Sequence, residues 1–470
     1  MTVVLARRAD IDVDAFRRAA WEEEPVAVEA ETLAEVDRRR RQFLDFLAAN
    51  PGRRFYGVNV HAGDGSDRPL SEADQRDYAR GMQSAVSFGS ETLPRRVVRG
   101  IVLARLANMI EGHAGVTAGL LEAVAARLDG RPLPEVPRYG HGGPGEIVAL
   151  GWVFGDLGAE RDLQLRESMA LINGSPCASA LVSDATLAAE HVVARAEAVF
   201  GLAAAAFGVS PTIYHPRLDE LWGDPHQARA LAGLRDQLEG AAPPGSDDRD
   251  EAGHPQPPVS FRILPRVLGN AHRVVAQGRE VAETALRAVS DNPTFLFDDE
   301  AAGDIVSTGG FHSGTAAPAI DALTFMLADF TQIAQHELHR LQTSRRALPR
   351  FDSTNLGILQ MAASGYAEEA RGACVPTLLG LGGWGQNDVP SPAFIAWNRF
   401  DRVRGFVAGS LACLAAIAGQ SFAQTGHEAP AALSPLLADV LARCPPIVQR
   451  RSLGPDLAAL ARLLCEGIPD

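Results

Sequence analysis

Five short stretches set polar side chains among glycines, prolines and aromatics. They are Phe55-Tyr56-Gly-Val-Asn59, Ala170-Leu-Ile-Asn173-Gly, Ser260-Phe-Arg262-Ile-Leu-Pro265, Ser290-Asp-Asn-Pro293 and Gly309-Gly-Phe311-His312, and a sixth, Gln386-Asn-Asp388, follows a glycine-rich run. Phenol, guanidinium, amide and imidazole groups suit proton transfer and anion binding. No paired histidine or carboxylate motif at ligand spacing appears, so no metal site is expected. Between the first two stretches lies Tyr139-Gly-His-Gly-Gly-Pro-Gly-Glu146, with four glycines and a proline in one loop. Glycine lets a backbone approach another backbone or a ligand closely and opens φ values closed to other residues. Pro144 fixes one φ and removes one donor. By itself this loop is either a tight connector or the wall of a site.

Long helices must position these loops. Alanine, leucine and arginine dominate the 470 residues, and all three lead the helix-propensity scale. Residues 1–50 alternate charged and apolar positions at helical spacing. Leu93 to Leu128 reads as one helix with Val97, Val98, Ile101, Leu103, Leu106 and Ile110 on its apolar side. An apolar, helix-compatible run from Ile147 follows the glycine loop, and Ala178–Phe207 forms an alanine-rich helix. Helical patterns resume over 264–289, 318–346, 355–372 and 393–423, while 242–258 has the composition of an exposed linker. Strand–helix alternation, internal repeats and phosphate-binding glycine motifs are all absent. The fold class is therefore all-α, an elongated central bundle of long helices carrying loops. Residues 1–200 are expected to form an N-terminal helical and loop domain holding Tyr56 and the glycine loop, with 201–470 forming the central bundle and C-terminal helices.

A net charge of −14 with no basic run argues against nucleic-acid binding. Neither a signal peptide nor an 18-residue apolar run is visible, so neither export nor a membrane span is expected. The five cysteines are odd in number and lack C-x-x-C spacing. They read as reduced core residues of a cytoplasmic protein.

The order and spacing of the six blocks resemble the aromatic amino acid ammonia-lyase family, which includes histidine and phenylalanine ammonia-lyases. Tyr56-Gly-Val-Asn59 is similar to the family's catalytic tyrosine loop, and the Asn173, Asp291-Asn-Pro293 and Phe311-His312 blocks follow in register. The resemblance implies long, nearly parallel helices and a homotetramer whose active sites combine loops of three subunits. It makes Tyr56 the general base. A free tyrosine titrates at about 10, so that role needs nearby positive charge or donor bonds. It makes Arg262 the grip on a substrate carboxylate, a task suited to a planar bidentate donor. Asn173 is implied to bond near that carboxylate, and Phe311, Gln386 and Asn59 to line the substrate pocket.

The glycine loop stands where the family carries Ala-Ser-Gly-Asp, whose first three residues cyclise into an electrophilic methylidene-imidazolone. Here the segment reads Gly143-Pro144-Gly145-Glu146. Proline has no hydroxyl to eliminate, so no cofactor of this kind is expected. Other departures accompany it. The second family tyrosine is Val259, the asparagine before Phe-His is Gly310, and the glutamate of Gln-Glu-Asp is Asn387. Phe88 stands at the ring-selecting position. Together Phe88, Val259 and Gly310 suggest a roomier, less polar pocket. His141 and His61 replace small or apolar family positions, which makes both candidates for a general acid near neutral pH, and His61 a candidate substrate contact as well. Glu146 is expected to cap the helix that follows it.

The resulting expectation is a lyase that works without the prosthetic group on a small carboxylate-bearing substrate. Elimination then needs a leaving group that is already good, such as a quaternary amine, a thiol or an activated oxygen. Electrophile-free, ergothionase-like trimethylamine lyases fit that logic. Addition, isomerisation or cyclisation by the same acid/base groups is a related form. The alternatives are a non-catalytic homologue that binds a small anion or stabilises an assembly, and an ordinary ammonia-lyase whose electrophile forms elsewhere.

Overall fold

The alanine- and leucine-rich segments form long helices whose small side chains let the axes approach closely. The computed structural model describes residues 1–71, 74, 84–241, 256–297, 303–350, 356–383 and 385–469. Its principal helices are α1 (Ala30–Ala49), α2 (Arg95–Leu106), α3 (Ala118–Ala125), α4 (Ile147–Glu160), α5 (Glu167–Ile172) and α6 (Pro176–Phe207). They continue as α7 (Pro225–Gln237), the single turn α8 (Val259–Arg262), α9 (Leu264–Arg287), α10 (Ala316–Thr343), α11 (Leu356–Ala373), α12 (Ala393–Thr425), α13 (Ser434–Arg443) and α14 (Gly454–Cys465). Helices α6, α9, α10 and α12 pack on one another as the central bundle, with α11 and α14 against α12. Helix α12 is apolar and long enough to cross a membrane by length and composition, yet 89% of its apolar window is buried inside the fold. The expected all-α bundle is the observed one. The boundary expected at 200/201 falls inside α6, whose 32 residues pack on helices from both sides of it. Most of the expected linker, 242–255, lies outside the described residues.

Two sequence expectations need correction. Residues 1–50 are not helical throughout. Val3–Leu5 (β1) pairs in parallel with Val26–Val28 (β2), because Val3, Leu5 and Val26 turn into the core while Val4 and Ala27 face out. The helix expected over 93–128 stops at Leu106 and restarts at Ala118. The intervening turns carry Gly112 and Gly115 at positive φ, and α1 presses on both: a Cβ at Gly112 would stand 2.4 Å from the Arg39 Cβ. Tertiary contact with α1 thus overrides a continuous apolar stripe. A second small sheet pairs Thr294–Leu296 (β3) antiparallel with Asp304–Val306 (β4). It buries Phe295 against Phe43, Phe46 and Phe55, which fixes the root of the Tyr56 loop.

Two buried acids in the bundle lead to stability predictions. The Asp184 carboxylate, in α6, accepts bonds from Arg96 Nε at 2.7 Å, Trp21 Nε1 at 3.0 Å and Trp397 Nε1 at 2.9 Å. It therefore ties three segments distant in sequence to the central helix. Asp184→Ala leaves the Arg96 charge buried and unpaired, and is expected to cost about 3–5 kcal/mol in denaturant unfolding. Glu337, in α10, is fully buried, and neither carboxyl oxygen has a hydrogen-bond partner among the described residues. Burial pushes its pKa well above the ordinary 4.5. A raised folded-state pKa means stability is full below the unfolded-state value and is lost as pH rises toward the folded one. Glu337→Leu is therefore expected to melt higher than the natural chain, by a margin that widens from pH 5 to pH 8. A constant margin would show that the carboxyl is not held neutral.

Candidate active site

The Tyr56 loop is fixed from within. Asn59 accepts a bond from the Phe55 N–H at 2.7 Å and donates to the Arg53 carbonyl at 2.7 Å, so both ends of its amide are spent on the loop. Gly57 has φ of +61° and lies over Met169, where a Cβ would approach the Met169 Cε to 3.3 Å. Half-buried Tyr56 then receives the Gly63 N–H on its phenol oxygen at 2.9 Å. A donor aimed at that oxygen stabilises negative charge on it. The His61 N–H donates to the Arg68 carbonyl, and its side chain stands beside the Gly65 turn.

Three more loops meet this one. The Gln386 amide donates to the Gly63 carbonyl and, at 3.4 Å, to Ser66 Oγ. Gly63 is thus held on two sides, its carbonyl by Gln386 and its N–H toward Tyr56, through two adjacent peptide units. The 380–391 loop continues to the glycine loop: Ser391 N–H donates to the Gly143 carbonyl at 2.9 Å, and Gly143 lies against Gly382. Gly140, Gly143 and Gly145 all have positive φ. A Cβ on Gly145 would stand 3.9 Å from the Phe311 ring, so Phe311 walls the loop.

Asn173 ends α5 and is buried. It donates to the Asn292 carbonyl at 2.8 Å and accepts the Gly174 N–H at 2.8 Å. Asn292 in turn accepts the Thr308 N–H at 2.9 Å, and Ser175 Oγ reaches the Gly310 carbonyl at 3.3 Å. A buried Arg166–Asp291 ion pair of 2.8 Å lies behind them. Gly310 opens no extra room, contrary to expectation, because a Cβ there would lie 3.2 Å from the Ser290 Cα and carbonyl oxygen.

Two residues take jobs different from those expected. Glu146 makes no side-chain cap on α4. Its buried carboxyl reaches across to α6, accepting from Cys177 N at 2.5 Å and Ala178 N at 2.7 Å. Those are two of the orphan donors at that helix start, where Pro176 supplies none. Burial raises Glu146 to about 7, against the opposing pull of these donors and of Arg105. Sequence reasoning missed this link because nothing in the residue order pairs 146 with 177. His141 sits with Nε2 2.5 Å from the Pro137 carbonyl and its ring 4.4 Å from Phe394. Burial lowers its pKa. A neutral imidazole whose N–H is spent on a carbonyl has no proton to give, so the placement opposes the general-acid role.

Other expected residues stand apart. Phe88 is 89% exposed and Val259 is exposed as well, so neither lines a pocket of the single chain. Arg262 donates from Nε to the Pro257 carbonyl at 3.0 Å, just before α9. The 24 residues of α9 then carry the chain about 36 Å before Ser290 joins the Asn173 cluster. One chain therefore gathers Tyr56, Asn173, Phe311, Gln386 and Gly143–Gly145, and leaves Arg262 at the other end of a long helix. A cavity of about 550 Å³, lined by Glu29, Glu35, Arg39 and Phe297 among others, includes none of the expected site residues. Among the described residues no cluster of histidine, cysteine, aspartate and glutamate could hold a metal. The five cysteines are free.

Known proteins share this fold. The chain is 30% identical over 454 residues to the histidine ammonia-lyase of Symbiobacterium thermophilum, covering 88% of each chain. Its fold matches ergothionase, an ergothioneine-degrading enzyme from Treponema denticola solved with desmethyl-ergothioneine sulfonic acid, at a TM-score of 0.88, 17% identity and 99% coverage of both. It also matches phenylalanine aminomutase of Pantoea agglomerans, at a TM-score of 0.89, 16% identity, and 100% and 99% coverage. The model for the aromatic amino acid lyases matches residues 11–164 and 156–444. With nearly the whole chain accounted for in this way, the protein belongs to the aromatic amino acid lyase family.

Proposed function

We propose that this protein is a lyase that acts on a small amino-acid-like carboxylate without a methylidene-imidazolone. The observation that carries the reading is Pro144. Forming the prosthetic group requires a serine-type hydroxyl to leave as water, and the pyrrolidine ring has none. The residues present do not fit that group. Tyr56, as the phenolate, takes the proton from the carbon beside the one that bears the leaving group. The C–H electrons become the new double bond, and the leaving group departs with its own electron pair. The Gly63 N–H stabilises the phenolate before transfer, and Gln386 holds the turn that presents it by bonding the Gly63 carbonyl. Asn173 pins the turn beside the loop, and Phe311 supplies an apolar wall.

Arg262 binds the carboxylate from a second copy of the chain, since the length of α9 keeps it from the Tyr56 group of its own chain. Exposed Leu378, Leu379 and Leu381, in the segment leading to Gln386, support burial by such a copy. A homotetramer is the assembly proposed. Ergothionase's named substrate, a betaine with a good amine leaving group, makes a trimethylammonium betaine the first candidate.

Intact mass and near-ultraviolet absorbance test the reading. The purified protein is expected to have the mass of its unmodified sequence. A mass two waters lighter, with matching absorbance, would restore the ordinary ammonia-lyase chemistry. Incubation with histidine, phenylalanine, tyrosine and ergothioneine is expected to release no ammonia from the three free amino acids.

A further inference from the structure

The loop that replaces the prosthetic group has little stiffness of its own, with three positive-φ glycines in six residues. Beside the Ser391 N–H on the Gly143 carbonyl, what seats it is the carboxyl at its end. Glu146 spans from the loop to the backbone N–H groups of Cys177 and Ala178, immediately after the Asn173-Gly174-Ser175 turn. The other side of that turn is held by Arg105, fully buried, whose guanidinium donates to the Asn173 carbonyl. A Cβ on Gly174 would lie 2.9 Å from Arg105 Nη2, so the turn is packed directly on the cation. We propose that Glu146 is the positioning residue that seats the Gly143-Pro144-Gly145 loop against the Asn173 turn, so that these two walls open and close as one unit. This rests on the reading above that loop and turn wall one site.

The link is proton-sensitive. The groups acting on the carboxyl are the Arg105 guanidinium from α2 and the Cys177 thiol and amides from α6, with the Arg166–Asp291 pair behind Arg105. The seated carboxyl titrates at about 7, against an ordinary 4.5 once released to water. The seated form therefore holds its proton more tightly, and rising pH favours release. The opening equilibrium grows about tenfold per pH unit and levels off near pH 7, about 300-fold in all.

Amide hydrogen exchange on the full-length protein, corrected for intrinsic rates between pH 5 and 8.5, tests this through peptides covering 139–150 and 172–182. Both peptides are expected to lose protection together along that curve, and E146Q to abolish the pH step in both. A step that persists in E146Q, or a change confined to one peptide, overturns the proposal. Should E146Q fail to fold, E146D, one methylene shorter, is expected to speed exchange about tenfold in both peptides. Exchange equal to the natural protein's would overturn the proposal as well. Tyr56→Phe serves as the control: its turnover judges the catalytic reading, while its exchange curve is expected to match the natural protein's whether or not turnover falls.

Discussion

Tyr56→Phe is expected to lower kcat/KM by about 10²–10⁴-fold on any substrate the protein turns over, the usual worth of a positioned acid/base group. The substitution removes one oxygen and keeps the ring. Phe55 and Asn59, which fix the loop from either side, are untouched, so the melting temperature should move little. What disappears is the atom that faces the Gly63 N–H at 2.9 Å. The loss should fall on kcat more than on KM, because the phenol acts in the proton-transfer step and not in holding the carboxylate. Turnover that survives unchanged would sink the base assignment and leave a small-anion-binding homologue as the better reading. Gln386→Ala offers a graded comparison, since it keeps the Gly63 N–H and removes only a bond that holds the turn carrying it.

Arg262→Ala is the second large effect expected. Losing the charged grip on a buried carboxylate costs about 2–5 kcal/mol, or about 30-fold and upward in kcat/KM. Arg262→Lys should recover only part, because an ammonium cannot reproduce the bidentate fork. The geometry adds a stronger test. Since α9 spans about 36 Å between Arg262 and its own chain's Asn173 cluster, the proposed grip requires a second subunit. Two inactive variants, Tyr56→Phe and Arg262→Ala, should therefore complement. Unfolded together in equal amounts and reassembled, they are expected to regain about a quarter of the natural activity, because a quarter of sites draw both intact residues from different chains. No recovery, with oligomers of natural size formed, would place both residues in one chain's site and contradict the distance.

Legibility in the sequence varied by the range of the interaction involved. The long helices could be read from alanine and leucine at helical spacing, because that pattern is local and the bundle buries it. The break after Leu106 could not, since it arises from α1 pressing on Gly112 and Gly115, residues far from α1 in sequence. The parallel pairing of Val3–Leu5 with Val26–Val28 was hidden for the same reason. Among the site residues, Tyr56, Phe311 and Gln386 stand in the blocks that suggested them, and the structure brings their loops together. His141 had the right chemistry by type, but its environment spends its N–H on Pro137.

What the sequence determined alone is chemical identity: residue 144 is a proline, and no folding gives it a hydroxyl. It also set the helix content, through local propensity and periodicity. What only the tertiary structure decided is which groups face one another across long loops. Glu146 reaches Cys177 and not the helix it precedes, Gly63 turns its amide to Tyr56, and Arg262 ends a helix length away from the rest. Those outcomes depend on contacts between segments 7 to more than 100 residues apart in sequence, where packing and hydrogen-bond satisfaction choose the partner and residue order does not.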